Sequence, residues 1–411
     1  MTTETQGALD TALGTPAFFN NPYPFYGELR TDNPVHWSET NGGWMLTRYD
    51  DVAATIRDHS RFSSRGRFSA VFARMDPELR QRVQPTERHF SVGLIASDPP
   101  DHTRMRGLIN RALTPRVIDA MRPRILLLVS EFLDAAAPSG EMDIIADLAY
   151  PLPATVISEL LGAPAESRDQ FKSWSHDILG FQGTGLPSQE SVERAQTSLL
   201  AMRAFLSELA AERRLTPRDD LIGLLVAAEQ DGDRLTESEL LTTCVTLLTA
   251  GHETTTNLIG NGLWLLLSHP DQLQLLRDRP ELMPSAIEEM LRKESPLQRN
   301  PRQLAFDFEL RGKRLRAGDY VMQVLGTANR DPEQFADPHR FDITRTPNRH
   351  LAFGHGIHFC LGAPLARLEA PIAIGEVLRR MPRLALADGD VSPQWHQSGF
   401  VRGLQTLPVV F

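Results

Sequence analysis

A single thiol set among glycines is the residue in this sequence best placed to do chemistry. Cys360 lies in the run Phe353-Gly354-His355-Gly356-Ile357-His358-Phe359-Cys360-Leu361-Gly362, and the other cysteine, Cys244, sits in a distant apolar segment. Glycines let a backbone turn tightly and approach something flat or bulky. Such a turn can aim backbone N–H groups at the sulfur, which favours thiolate over thiol. A thiolate held that way suits a soft or borderline metal, axial ligation of haem iron being one use. The bland alternative is a small buried hydrophobe, the usual fate of a free cysteine.

Two more constellations carry chemistry by type and spacing. In Ala250-Gly251-His252-Glu253-Thr254-Thr255, glycine and a run of threonines interrupt a long apolar helical segment. These are poor helix formers whose hydroxyls compete for the i−4 carbonyl, so the sequence predicts a local opening or bend. A carboxylate beside a hydroxyl inside such a helix is expensive unless it is used. His252 reads as surface, ion-pair or relay residue, with a structural role favoured. Further on, Glu289 and Arg292 stand three apart on a short helix, where they share a face and can pair. Alone, that spacing describes any weak surface ion pair.

The pattern Phe-x-x-Gly-x-x-x-Cys-x-Gly resembles the haem-thiolate loop of the cytochrome P450 family, and the resemblance covers nearly the entire chain. It implies haem b with Cys360 as metal ligand and Phe353, Ala250 and Gly251 beside it. Glu253 and Thr254 match the family's acid-alcohol pair, which would route protons to dioxygen. Glu289 and Arg292 match its buried pair, locked onto a meander that includes Arg340. His102, Arg106, Arg302 and His358 match propionate contacts. By family position, Phe68, Phe72, Phe90, Leu94, Thr246, Thr249 and Ala250 would line a substrate pocket, with Leu297, Gln298, Asn300, Phe400 and Val401. The implied activity is monooxygenation of a small, largely apolar substrate. Electrons would come from NAD(P)H through a separate ferredoxin or flavodoxin and its reductase, docking near Cys360 on arginines such as Arg104, Arg111 and Arg367. Two alternatives stand beside it: a peroxide-driven peroxygenase, whose relatives carry Arg-Pro where this chain has Glu253-Thr254, and a non-catalytic haem sensor or carrier.

The elements that must position these groups are legible in outline. Thr236-x-x-Glu239 is a capping-box signature, and the run to Ser268, stopped by Pro270, predicts a helix of about 33 residues, or roughly 50 Å. A second helix is expected from Pro284 to Glu294, and a third over 363–380. Strands are expected at 35–37, 43–47, within 304–324 and in the tail, with a long loop over 60–97 and a meander over 329–350. The fold class is therefore mainly α with small β-sheets: α-rich over about 101–295, β-rich over about 30–60, 296–345 and 385–411. The resemblance implies one domain over 1–411 without a fused reductase, and haem between the long helix and the Cys loop with its following helix.

Composition limits the functions. The chain of 411 residues is 41% hydrophobic and 23% charged, as in ordinary globular proteins. A net charge of -9 argues against a nucleic-acid-binding surface. Lys172, Lys293 and Lys313 are the only lysines. The N-terminus shows no basic segment followed by an apolar core, and no run reaches the roughly 18 apolar residues of a membrane span. These features lead to the expectation of a cytoplasmic monomer with no membrane or nucleic-acid partner.

Overall fold

The computed structural model describes residues 3–180, 188–229, 232–387 and 393–411. The expected α-rich region and C-terminal β-region include 181–187, 230–231 and 388–392, which lie outside the described residues. After helices at Thr3–Ala12, Pro16–Asn20 and Tyr23–Asp32 comes a hairpin, β1 (Val35–Ser38) and β2 (Gly43–Leu46), then a helix at Tyr49–Arg57 and β3 (Phe62–Ser63). The expected loop over 60–97 instead contains three short helices, Ser69–Ala73, Pro77–Arg82 and Gln84–Ser91. They are too short to show a period, but one has a cap: Asp76 accepts from the N–H groups of Glu78 and Leu79, with proline at the first turn.

Helices then dominate: α1 (Asp101–Ala112), α2 (Pro151–Leu161), α3 (Glu237–Ser268) and α4 (Met283–Lys293), with β4 (Glu141–Asp143) between the first two. Next come β5 (Arg299–Leu304), the hairpin β6 (Phe308–Leu310) and β7 (Lys313–Leu315), and β8 (Tyr320–Val324). The chain ends with α5 (Ala363–Arg380), β9 (Ala385–Leu386) and β10 (Pro408–Val410). One sheet runs β1-β2-β8-β5-β3, and a second runs β4-β10-β9. In the first, β5 and β8 pair antiparallel with Arg302 opposite Val321, which joins the middle of the sequence to the N-terminal hairpin.

The 32-residue helix α3 spans about 48 Å and crosses the body of the protein. Its start is fixed by the predicted box: Thr236 Oγ1 accepts from Glu239 N–H at 3.3 Å, and Glu239 Oε2 accepts from Thr236 N–H at 2.8 Å. Leu248, Ile259 and Leu263 of α3 share one core with Val156 and Leu160 of α2 and Ile374 of α5. A Cβ at Gly262 would stand 2.7 Å from Met290 Sδ, so glycine permits the close crossing of α3 and α4. Among the described residues one stretch, Ile144–Leu161, is apolar and long enough to cross a membrane; 67% of it is buried in this core.

The meander over 329–350 has almost no regular structure and is held by a buried carboxylate. Glu289 and Arg292, both 0% exposed, form a two-pronged pair at 2.7 and 2.8 Å. Arg292 also donates to the carbonyls of Asn329 and Pro338 at 2.9 Å and of Arg340 at 3.1 Å. Glu289 accepts in addition from Arg345 Nε, from Asn348 Nδ2 at 3.1 Å and from Asp342 N–H at 3.0 Å. The pair does lock onto the meander at Arg340, but through that residue's carbonyl and not its side chain. A turn at Asp337, where φ is 45°, directs the Arg340 carbonyl inward and leaves its side chain exposed. Arg345 is the side chain that completes the pair.

Removing either member of the pair strands a buried charge, at a cost of about 3–5 kcal/mol. Glu289→Ala and Arg292→Ala should therefore lower the melting temperature sharply and empty the cofactor site. Arg340→Ala, which keeps the carbonyl, should change stability by no more than about 0.5 kcal/mol. Equal melting shifts for Arg340→Ala and Arg292→Ala would contradict this assignment.

Candidate active site

Cys360 sits between a short turn, Gly356–His358, and the N-terminus of α5. Gly354 and Gly356 both adopt φ of +69°, the left-handed region that glycine enters without strain. The loop closes where Cys360 N–H donates to the Phe353 carbonyl at 2.9 Å. Burial pushes the thiol's pKa up. Opposing this, the N–H groups of Gly362 and Ala363 point at the sulfur, and the Arg106 and Arg367 charges act on it. Arg106 also donates to the Phe359 carbonyl at 3.0 Å. Arg367 lies 4.5 Å over the Phe353 ring and grips Glu288 with two bonds of 2.7 Å. Burial alone would raise Glu288, but its bonds to Arg367 and His350 hold it at about 2.

Above the thiol lies a cavity of about 780 Å³ whose opposite wall is α3. Thr246, Ala250, Gly251, Glu253 and Thr254 face it from that helix. Phe68, Leu94, Leu297, Asn300, Phe400 and Val401 line it as expected. Four expected wall residues do not. Phe72 is 1% exposed within the core, and Phe90 packs behind Phe68 at 5.1 Å. Thr249 is turned roughly 100° from Ala250 around the helix and bonds the Val245 carbonyl at 2.9 Å. Gln298 donates to the Ser295 carbonyl at 2.8 Å, and its amide fills the space left by Gly326.

The expected opening of α3 is absent: the helix stays α-helical through 250–256. Thr254, Thr255 and Thr256 each donate to the carbonyl four residues back, at 2.9, 3.1 and 2.9 Å, so their hydroxyls supplement the ladder instead of replacing it. Glu253 bonds to no described residue, and burial raises its pKa to about 7. Tyr150, close enough to feel that carboxyl, is pushed by burial to about 12. His252 bonds the Leu248 carbonyl through Nδ1 at 2.9 Å and meets Tyr150 edge-on at 5.6 Å, a packed structural position.

Around the thiol end stands a set of donors without anions. His102 is 2% exposed, yet neither ring nitrogen has a partner. Its ring lies 4.3 Å from that of His358, whose Nε2 meets Ser64 Oγ at 2.8 Å. Burial depresses His102 to about 4 and His358 to about 2. Arg302 is lowered to about 9, first by burial and then by Arg67. Its bonds go to neutral oxygens, Asn300 Oδ1 at 2.8 Å and the Pro301 carbonyl at 2.7 Å. Orphaned buried donors on this scale are costly unless a bound anion satisfies them. A thiol facing a cavity, ringed by such donors, fits a metal-bearing group that carries carboxylates.

The sequence did not single out Arg67 or Ser64, which come from the aperiodic 60–97 segment; its basic run Arg65-Gly66-Arg67 is the one signal available. Two expected partner-facing arginines are already engaged. Arg104 pairs with Glu239 and Asp233 at the start of α3, and Arg367 with Glu288, while Arg111 is exposed.

Comparisons with known proteins agree with this geometry. A family model described as cytochrome P450 matches residues 188–408. Cytochrome P450 monooxygenase PikC of Streptomyces venezuelae is 43% identical over 418 residues, 99% of this chain and 95% of the relative. Vitamin D(3) 25-hydroxylase of Pseudonocardia autotrophica is 40% identical over 413 residues, covering 100% and 98%. A crystal structure of P450BioI with an acyl carrier protein carrying hexadec-9Z-enoic acid superposes with a TM-score of 0.89 at 38% identity, covering 96% of this chain and 99% of the other.

Because folding raises the Glu253 pKa from 4.5 to about 7, the folded state holds this proton more tightly than the unfolded chain. Its contribution to stability is full below that range and is lost as pH rises through it. Glu253→Gln should flatten the fall of melting temperature across that interval, and the wild-type-minus-variant infrared difference should show a neutral-carboxyl band that is lost near pH 7, beside the Glu369 band, near 8, common to both proteins. A wild-type profile no steeper than that of Glu253→Gln would contradict the buried, protonated carboxyl.

Proposed function

The chain belongs to the cytochrome P450 family, and we propose which of its residues carry the haem-thiolate monooxygenation that defines its relatives. Haem is the family's cofactor. Bound here, it supplies dioxygen activation, with thiolate electron donation favouring O–O cleavage. Cys360 would ligate its iron, the sulfur pre-aimed by the N–H groups of Gly362 and Ala363. His102, Arg106, Arg302 and His358 would hold the propionates, which would answer why these donors stand without anions. Phe353, Ala250 and Gly251 complete the walls, and Glu289 with Arg292 and Arg345 holds the loop from behind.

The observation that carries the proton assignment is the pairing of Glu253 and Thr254 on the cavity face of α3. Thr254 Oγ1 donates to Ala250, which fixes the hydroxyl oxygen toward the cavity as an acceptor and relay. Glu253, poised near neutral pH and free of other bonds, can give up a proton and recover one, as general acid catalysis requires. A peroxygenase or a haem carrier has no use for this pair.

Residues 1–411 act as one haem domain. NAD(P)H-derived electrons arrive through a separate ferredoxin or flavodoxin and its reductase, at the face bearing Cys360, Arg111 and exposed Phe359. The protein works as a cytoplasmic monomer. Its substrate is a bulky apolar molecule, matching the wall of Phe68, Leu94, Leu297 and Phe400.

Thr254→Ala, assayed with surrogate redox partners and a compound that shifts the haem spin state, should keep consuming NADPH. Product per electron pair should fall about tenfold or more, with peroxide taking its place. An unchanged product yield would remove Thr254 and Glu253 from the relay.

A further inference from the structure

The charges lining the cavity do not balance, even after the cofactor is counted. Four guanidinium groups face it, from Arg67, Arg106, Arg299 and Arg302, against one carboxyl, Glu253 on α3. Haem brings two propionates, assigned above to Arg106 and Arg302 with their histidines. Arg67 and Arg299 are left over.

Arg299 is the less explained of the two. Its side chain ranks among the largest fully buried in the protein, yet no carboxylate of a described residue pairs with it. Nη1 donates to Asn41 Oδ1 at 2.6 Å and Nε to Tyr26 Oη at 3.4 Å, both neutral, and the guanidinium lies 5.5 Å over the Phe18 ring. Nη2 is buried with no partner among the described residues. Its buried neighbours Arg330 and Arg402 show the contrast, since both are matched by Glu294. A buried cation with a vacant donor is costly, and the natural remedy is an anion. Tyr320, on β8 paired antiparallel to the β5 strand that carries Arg299, also lines the cavity, and no described residue bonds its hydroxyl; the Arg67 charge and then Arg299 act on it. The pair thus offers a guanidinium N–H and a phenol O–H, the donors that suit a carboxylate.

We propose that Arg299 and the Tyr320 hydroxyl form a subsite for a carboxylate carried by the substrate, under the tail loop that includes Gly399. The other walls are apolar, with Phe68, Leu94, Leu297 and Phe400. The substrate class is therefore an apolar carboxylic acid, held by its acid group while its hydrocarbon part occupies the cavity. This deepens the monooxygenase reading and rests on it.

The test is spin-state titration of the haem-loaded protein with dodecanoate and hexadecanoate, each against its matching alcohol. A charge-assisted bond of this kind should make the acids bind about tenfold tighter than the alcohols. Arg299→Gln should abolish that preference while leaving alcohol binding in place, and Tyr320→Phe should reduce it. Wild-type protein that shows no preference for the acids overturns the proposal without needing any variant to fold. So does an undiminished preference in folded Arg299→Gln. A thiolate-type carbonyl band in the same wild-type sample reports separately on the haem-thiolate reading.

Discussion

One buried carboxylate holds the site in register. Glu289 accepts from Arg292, Arg345, Asn348 and the Asp342 N–H, and through Arg292 it fixes the carbonyls of Asn329, Pro338 and Arg340. A meander with almost no secondary structure has no ladder to organise it, so these bonds substitute for one. They matter because the chain runs directly from that meander into the Cys360 loop. Asn329 continues the connection, since its side-chain oxygen accepts from Leu351 N–H at 2.7 Å. With both Glu289 oxygens and the Arg292 guanidinium bonded several times over, the network specifies one arrangement of the chain around it.

Opposite this rigid support, the cavity keeps polar groups deliberately unsatisfied. Among the described residues His102 finds no partner for either nitrogen, Arg302 has only neutral acceptors, Arg299 has a vacant Nη2, and Glu253 has no partner. Burial of each is unfavourable in isolation. Together they divide the cavity by charge: cationic donors at the thiol end and along β5, and one proton-bearing carboxyl on α3. These groups stand where cofactor and substrate bind, while Glu294 and Glu289 neutralise Arg292, Arg330, Arg345 and Arg402 in the core behind.

Much of this was legible in the sequence, for physical reasons that differ by element. Helix α3 was visible from end to end because a capping box and a proline stop bracket a long apolar run, and α5 because it is long and periodic. The Cys360 loop was visible because few other demands would place glycines and aromatics so. The short helices of the 60–97 segment were not, since single turns leave no period to read, and Arg67 was lost with them. Arg345 and Asn348 escaped for a related reason: in a meander, inward direction follows turn geometry and not spacing, so Arg340 and Arg345 cannot be told apart. The opening expected at Gly251–Thr256 failed because poor helix propensity was outweighed by tertiary packing along α3 and by hydroxyls that bond back without breaking the ladder. Pocket residues carried over by position failed where a one-residue step around the helix or one neighbouring glycine redirected a side chain, as at Thr249 and Gln298.

The central claim is that Cys360 is held as a metal-binding thiolate. It is tested most directly by the carbon monoxide difference spectrum of the reduced, haem-loaded protein, wild type beside Cys360→His. The account predicts the red-shifted thiolate-type Soret band in the wild type and its loss in the variant. Survival of that band in Cys360→His, or its absence from freshly folded wild-type protein, would contradict it.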